Sequence, residues 1–158
     1  IGSTTMSENL TLAQQIDADL KSAMLARDET AKLTLRSVKT ALSAATKTED
    51  APQVDDALVQ SVLQREAKRR RDAAAEYEKA GSPERAAQEL AELAVLERYL
   101  PQQLTDAEVE AIVAAVIAET GATGMAEMGK VMSAAMPRVG DRADGKRVNQ
   151  AARRLLGR

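Results

Sequence analysis

The spacing of apolar residues is the feature that most constrains the fold, because it follows the helical repeat along the chain. No segment alternates apolar and polar residues with the period of two that a half-buried strand requires. The clearest helical stripe recurs at intervals of four, three, four and three residues and consists of Ala31, Leu35, Val38, Leu42 and Ala45. Such spacing places all five side chains on one face of an α-helix. The sequence therefore predicts an all-α protein.

The composition favours the same fold and restricts the kind of core. Alanine, the strongest helix former, accounts for 31 of the 158 residues. Phenylalanine and tryptophan are absent, so Tyr77 and Tyr99 are the only aromatic residues. We therefore expect a core of small and aliphatic side chains, which suits closely packed helices. A nucleic-acid surface that stacks bases on several aromatic rings is disfavoured.

Start and stop residues divide the chain into seven predicted helices. Thr105 followed three residues later by Glu108 is a capping-box pattern, and Pro83 after Ser82 is typical of a helix start. Gly121 and Pro137 are expected to end helices. The predicted helices span roughly 12–27, 29–45, 56–80, 83–100, 105–120 and 125–136, with the last one starting near 144.

A change of composition at residues 101–104 indicates a domain boundary, since six of the eight glycines lie beyond it. We predict an N-terminal four-helix bundle-like domain, residues 6–100, followed by a small three-helix C-terminal domain, residues 105–158. Residues 1–5 are interpreted as an addition in front of the natural start, which we expect at Met6.

Several enzyme classes are excluded by residues that the chain lacks. Without histidine there is no imidazole base and no Ser-His-Asp triad, and without cysteine there is no thiol nucleophile, disulfide or Cys/His zinc site. No carboxylate pair stands out as an acid–base centre. We therefore expect no catalytic residue, no metal site and no cofactor. The lack of cysteines, of an apolar leader and of a span of ~18 apolar residues favours a cytoplasmic location away from membranes.

A run of four basic residues, 68–71, allows two interpretations. Consecutive residues point in four directions around a helix, and the acidic residues Glu66, Asp72, Glu76 and Glu78 flank the run. The favoured interpretation is a solvated helix held by ion pairs between residues three or four apart. Contact with phosphates along one side of the helix is the alternative.

The charge distribution is more informative than the net charge of -2. Residues 129–158 contain eight basic and two acidic residues, a net charge of +6, which leaves -8 for the rest of the chain. A basic end on an otherwise acidic protein is typical of a polyanion site. Basic residues in the last turn of a helix also complement its dipole, but that accounts only for Arg153 and Arg154. The candidate nucleic-acid-binding residues are Lys130, Arg138, Arg142, Lys146, Arg147, Arg153 and Arg154.

Glycines and a cap residue lie among these cations. Gly140 and Gly145 allow unusual backbone angles and the close approach of a partner. Asp144 is placed to cap the last helix, whose first N–H groups could bind phosphate oxygens. The pattern matches no Walker loop and no GxGxxG motif.

Four of the six methionines lie at helical spacing between residues 125 and 136. We interpret Met125, Met128 and Met132 as core residues together with Ala135, since methionine fills irregular gaps. A promiscuous peptide-binding groove is the alternative.

Longer runs in both halves of the chain resemble the GatB/YqeY family. The C-terminal runs are Met125-Ala-Glu-Met-Gly-Lys-Val-Met-Ser and Gly140-Asp-Arg-Ala-Asp-Gly-Lys-Arg-Val-Asn. The upstream runs are Arg65-Glu-Ala-Lys-Arg-Arg-Arg and Ala91-Glu-Leu-Ala-Val-Leu-Glu-Arg-Tyr-Leu-Pro-Gln-Gln-Leu. The likeness covers nearly all of residues 6–157, and the chain resembles the stand-alone YqeY-like proteins.

This resemblance implies a helical bundle followed by a three-helix domain similar to the tail of GatB. GatB is the subunit of tRNA-dependent amidotransferase that amidates misacylated Glu-tRNA or Asp-tRNA, and its tail helps to hold tRNA. Family labels state carbon–nitrogen ligase activity with glutamine as amide donor. The cradle for ATP, magnesium and the aminoacyl end lies outside that tail and has no counterpart here. The implied partners are tRNA and either amidotransferase subunits or an aminoacyl-tRNA synthetase. The resemblance also implies that Gly129, Gly140 and Gly145 shape the backbone among the candidate cations, although tight helix packing alone is an equally open interpretation of these glycines.

Three functions remain open on the sequence. The favoured one is a non-catalytic tRNA-binding accessory module in aminoacyl-tRNA metabolism and translation. The second is a component of a carbon–nitrogen ligase that acts on misacylated tRNA. The third is a helical protein-interaction adaptor. A contiguous basic face on residues 130–154 would favour RNA binding, whereas basic side chains dispersed into salt bridges would favour the adaptor.

Overall fold

The computed structural model describes residues 10–47 and 54–157, which contain seven α-helices and no strand. The all-α prediction is confirmed. The helices are α1 (Leu12–Ala26), α2 (Glu29–Ala45), α3 (Asp56–Lys79), α4 (Pro83–Glu97), α5 (Asp106–Thr120), α6 (Met128–Val139) and α7 (Gly145–Leu156). Two 3₁₀ turns, Met125–Glu127 and Gly140–Arg142, flank α6. The chain divides into two compact units, residues 1–100 and 101–158.

The first unit packs α1–α4 around an aliphatic core. The stripe predicted on α2 is buried as far as Leu42, with Leu35 and Val38 fully enclosed. Each such side chain contributes about 1.5–3 kcal/mol when it is removed from water. Ala31 and Ala67 are also buried, which allows the helix backbones to approach closely. The core therefore has the small, aliphatic character that the composition predicts.

Side chains cap the first three helices. Thr11 and Gln14 make a reciprocal capping box on α1, and Asp28 and Asp55 accept hydrogen bonds from the first turns of α2 and α3. Ser82 precedes α4, but its side chain makes no capping hydrogen bond. Of the two predicted start signals, only Pro83 at the first helical position is therefore used.

The basic run on α3 is largely neutralised within the helix. Lys68 pairs with Asp72 at 3.1 Å, and Arg69 pairs with Glu66 at 2.8 Å. These contacts agree with the interpretation of this run as a salt-bridged helix. One member behaves differently from the prediction, because Arg70 is buried rather than solvated.

Arg70 belongs to a buried polar network that links α2 and α3. Its guanidinium lies 3.4 Å from the Glu66 carboxylate and donates to the Ser37 hydroxyl, which in turn donates to Glu66 at 3.2 Å. Burial raises the pKa of Glu92 on α4, and the negative charge of nearby Glu89 raises it further. The positive charge of Arg70 lowers it. Arg70 therefore places a positive charge between three helices.

The second unit packs α5, α6 and α7 around a separate core. Val109, Val113 and Val116 from α5 meet buried residues of α6 and α7 such as Val131 and Val148. Within the described residues, no single helix is long and apolar enough to cross a membrane, and α5 with the stretch Met125–Arg142 reaches that length only as a pair bent by 96°. Most of the buried apolar residues of this pair belong to the core of the unit, to which α7 also contributes.

The sixth helix departs from its predicted bounds. A 3₁₀ turn replaces its first residues, and Pro137 lies inside the last turn instead of ending the helix. Met125 is 47% exposed, so its assignment to the core is wrong, whereas Met128 and Met132 pack against the core. Helical spacing alone could not show that the first turn is wound differently.

Candidate nucleic-acid interface

Helix α7 separates apolar and basic residues onto opposite faces. Its buried face consists of Val148, Ala151, Ala152 and Leu156. At 100° per residue, the four cations of this helix fall together on the opposite side. They form two rows of residues seven apart, which corresponds to about 10.5 Å along the axis. We call these the outer row, Lys146 and Arg153, and the inner row, Arg147 and Arg154, and together they form the basic face.

The two rows differ in their partners. Lys146 and Arg153 are exposed, and no carboxylate of the described residues lies within 4.0 Å of either. The inner row pairs with α5, where Arg147 contacts Asp106 at 2.9 Å and Arg154 contacts Glu110 at 3.5 Å. The outer row therefore carries two positive charges that this part of the protein does not neutralise.

Arg147 also has a structural role. Its Nη2 atom donates to the backbone oxygen of Leu104 at 2.6 Å as well as to Asp106. These bonds tie the start of α7 to Leu104, just before α5, and to Asp106, the first residue of α5. Since the side chain is 29% exposed, one part of the guanidinium anchors the fold while solvent still reaches the rest.

The start of α7 is capped as predicted. The Asp144 carboxylate accepts a hydrogen bond from the Arg147 amide at 3.0 Å. A carboxylate in this position takes the place that a phosphate oxygen would occupy at a helix N-terminus. Since Asp144 accepts from the Arg147 amide alone, it takes up one of the first amides of α7, and we treat the side chains as the main candidates for phosphate contact.

The other three candidate cations lie outside α7. Arg138 pairs with Glu119 near the end of α5, and this bond holds the pKa of Glu119 below its usual range. Lys130 donates to the backbone oxygen of Thr120 at 3.3 Å. Arg142 donates to the backbone oxygen of Arg138 at 3.1 Å. None of the three belongs to the two rows of the basic face.

The positive charge of Arg142 also acts on Glu108 in the first turn of α5. Hydrogen bonds from the Thr105 backbone and hydroxyl hold the pKa of Glu108 low, and the charge of Arg142 acts in the same direction. The backbone oxygen of Arg142 accepts from the Leu104 amide at 2.7 Å. The residue therefore contributes to the junction at which α5 begins.

Only one of the three singled-out glycines has a backbone that requires glycine. Gly140 has φ of +56°, a conformation that other residues rarely adopt. Gly129 and Gly145 lie in helices without positive φ, and a Cβ atom at either position would meet nothing closer than 3.8 Å. Backbone shaping is thus confined to the turn between α6 and α7.

The second unit as a whole carries a smaller net positive charge than its last thirty residues alone. Residues 101–158 contain eight basic and seven acidic residues, a net charge of +1. The acidic side chains that offset the basic end are mainly those of α5, and three of them pair with candidate cations. Sequence analysis missed these partners because a window along the chain cannot show which helix packs beside α7.

The candidate cations meet the expectation for RNA binding, a contiguous basic face, only in part. Four of the seven candidate cations share one face of α7, which favours a polyanion site. Three of the seven are held in salt bridges across helices. Within the basic face, the outer row is the part without a carboxylate partner among the described residues, and Lys130 and Arg142, which lie outside that face, also lack one.

Two further features of the described residues bear on other kinds of site. Those residues include no group of three acidic side chains arranged to hold a metal ion. A cleft of about 420 Å³ in the first unit is lined by residues that include Asp19, Arg98 and Tyr99, but the Tyr99 hydroxyl already donates to Asp19.

Comparison with known proteins assigns the chain to a family. A comparison with curated proteins gives no match. The family model described as Yqey-like protein matches residues 13–156, which is nearly the whole chain and includes both units. The chain therefore belongs to the YqeY-like protein family.

Proposed function

We propose that the second unit binds tRNA through the basic face of α7 and acts as a non-catalytic accessory module in aminoacyl-tRNA metabolism. The observation that carries this proposal is the outer row, Lys146 and Arg153, which is exposed and has no carboxylate partner among the described residues. Membership of the YqeY-like family fits a setting related to tRNA amidotransferase. A role in translation implies a cytoplasmic location.

The chemistry of the surface favours the RNA backbone over the bases. Lysine and arginine bind phosphate oxygens, and each neutralised phosphate releases condensed counterions. Both tyrosines lie in the first unit, so the second unit has no aromatic ring on which a base could stack. Folded RNA, which proteins recognise largely through phosphates and 2′-hydroxyls, is therefore a better ligand than a single strand.

The experiment compares wild type with Lys146→Gln/Arg153→Gln in titrations of tRNA at several salt concentrations. Loss of two phosphate contacts should weaken binding and reduce the slope of log K against log salt by about two. Lys21→Gln/Lys47→Gln is the matched control, because it removes two exposed cations from the first unit. It should bind as wild type does.

Two results would overturn the proposal. One is the absence of tRNA binding by wild type at low salt. The other is equal affinity of wild type and the α7 variant, which would place the RNA contacts elsewhere. Circular dichroism of each variant establishes that the helices are intact, so that a loss of affinity reports on charge.

A further inference from the structure

The carboxylates of Asp106 and Glu110 occupy the two arginines of the inner row. Each contacts one guanidinium, at 2.9 and 3.5 Å, from a helix that packs beside α7. The two acids are four residues apart and therefore lie on one face of α5. We propose that they act as built-in competitors of phosphate, which restrict the basic face to ligands with several closely spaced phosphates. This inference rests on the proposed function.

Both ion pairs are accessible enough to exchange. The Asp106 side chain is 92% exposed and that of Glu110 is 37% exposed, so water reaches both contacts. Exposed ion pairs are weak, because solvent screens them and because long side chains lose freedom when held. Arg147 keeps its bond to the Leu104 oxygen when Asp106 leaves, so the exchange does not release α7 from α5.

The basic face should therefore bind an isolated phosphate weakly and a chain of closely spaced phosphates more strongly. A single phosphate at Arg147 or Arg154 replaces one anion by another and gains little. A nucleic-acid backbone first contacts Lys146 and Arg153, which need no exchange, and this holds further phosphates close to the inner row. The ligand class is therefore a polyphosphate backbone such as folded RNA, and isolated phosphate should bind poorly.

The test is a tRNA titration of the full chain with Asp106→Asn/Glu110→Gln. Removing both competitors should tighten binding by between about 2- and 30-fold, the range set by two exposed ion pairs. The salt dependence should become steeper, because displaced carboxylates no longer take up cations as RNA arrives. Inorganic phosphate should compete with tRNA more effectively for the variant than for wild type.

Glu78→Gln/Glu84→Gln serves as the control for net charge. Both residues are exposed, and Glu84 lies in the first turn of α4 as Asp106 lies in the first turn of α5. This control should leave tRNA affinity within about twofold of wild type.

The outcomes separate this inference from the proposed function. If wild type binds tRNA and Lys146→Gln/Arg153→Gln weakens binding, but Asp106→Asn/Glu110→Gln changes nothing or weakens it, the competitor role alone is overturned. An equal gain in the Glu78→Gln/Glu84→Gln control overturns it too, because the effect would then come from net charge. If no variant binds tRNA, both ideas fail.

Discussion

The Tyr99 hydroxyl donates a hydrogen bond to the Asp19 carboxylate at 2.5 Å and joins residues that are 80 positions apart. Asp19 lies on α1, and Tyr99 follows the end of α4. Tyr99 is buried against the core of the first unit, with its polar end at this carboxylate. This contact therefore connects the first helix of that unit to the residue that follows the end of its last helix.

Removing the hydroxyl should destabilise the first unit. We expect Tyr99→Phe to lower the free energy of unfolding by about 1.5 kcal/mol, the value typical of a hydrogen bond to a charged group. Urea denaturation followed by circular dichroism measures this loss. Tyr77→Phe is the control, since the Tyr77 ring lies under Arg85 at 5.9 Å and keeps that contact without its hydroxyl. A loss as large in the control would contradict the assignment of the effect to Asp19.

The same contact predicts a loss of stability in alkali. Burial, the hydrogen bond to Asp19 and the charge of Asp19 all raise the pKa of Tyr99 in the folded protein. In the unfolded chain the pKa is about 10. Below pH 10 the stabilisation is complete, and it is lost as the pH rises from there towards the folded pKa, because only the unfolded chain then releases the proton.

This pH dependence can be isolated in a Tyr77→Phe background, which leaves Tyr99 as the only tyrosine. Its tyrosinate absorbance should appear only well above pH 10 in folded protein. Unfolding free energy should fall between pH 10 and 11 in this background, and fall less when Tyr99→Phe is added. An ordinary tyrosine titration in the folded state would refute the prediction.

The sequence was sufficient for the helices but not for the contacts between them. Apolar spacing and caps give the starts of α2, α5 and α7 to within a residue, because those signals are local. The burial of Arg70 could not be predicted in this way. Its neighbours in sequence indicate an exposed charged helix, and Ser37 comes from another helix.

The Glu66–Arg70 pair should respond very differently to single and double substitution. Glu66→Ala leaves the Arg70 guanidinium buried without its carboxylate, and should cost about 3–5 kcal/mol. Glu66→Leu/Arg70→Met replaces both charges by apolar groups and should cost much less. Urea denaturation of Glu66→Leu, Arg70→Met and the double variant gives the coupling energy. Additive losses would show that the pair is not coupled.

In the candidate site, too, the sequence indicates the residues of one helix but not their partners on another. The cations of α7 were recognisable from their density in sequence, and their common face follows from the helical repeat. Their carboxylate partners, Asp106 and Glu110, precede them by about forty residues and read in sequence as an acidic first turn and an exposed helix face. Only the packing of α5 against α7 shows that half of the basic face is already paired.

Two glycines of the second unit should respond to alanine with opposite sign. Gly140→Ala forces a side chain into a backbone with φ of +56° and should cost about 1–3 kcal/mol. Gly129→Ala adds a methyl group to a helix where nothing lies within 4 Å, and should stabilise the protein by about 0.5–1 kcal/mol. Thermal unfolding of both variants gives the comparison. The turn at Gly140 leads to Arg142, whose backbone oxygen accepts a hydrogen bond from the Leu104 amide. Since Gly140→Ala disturbs this turn, it should also weaken tRNA binding, whereas Gly129→Ala should not. Equal destabilisation by both would mean that helix packing, and not the turn, requires these glycines.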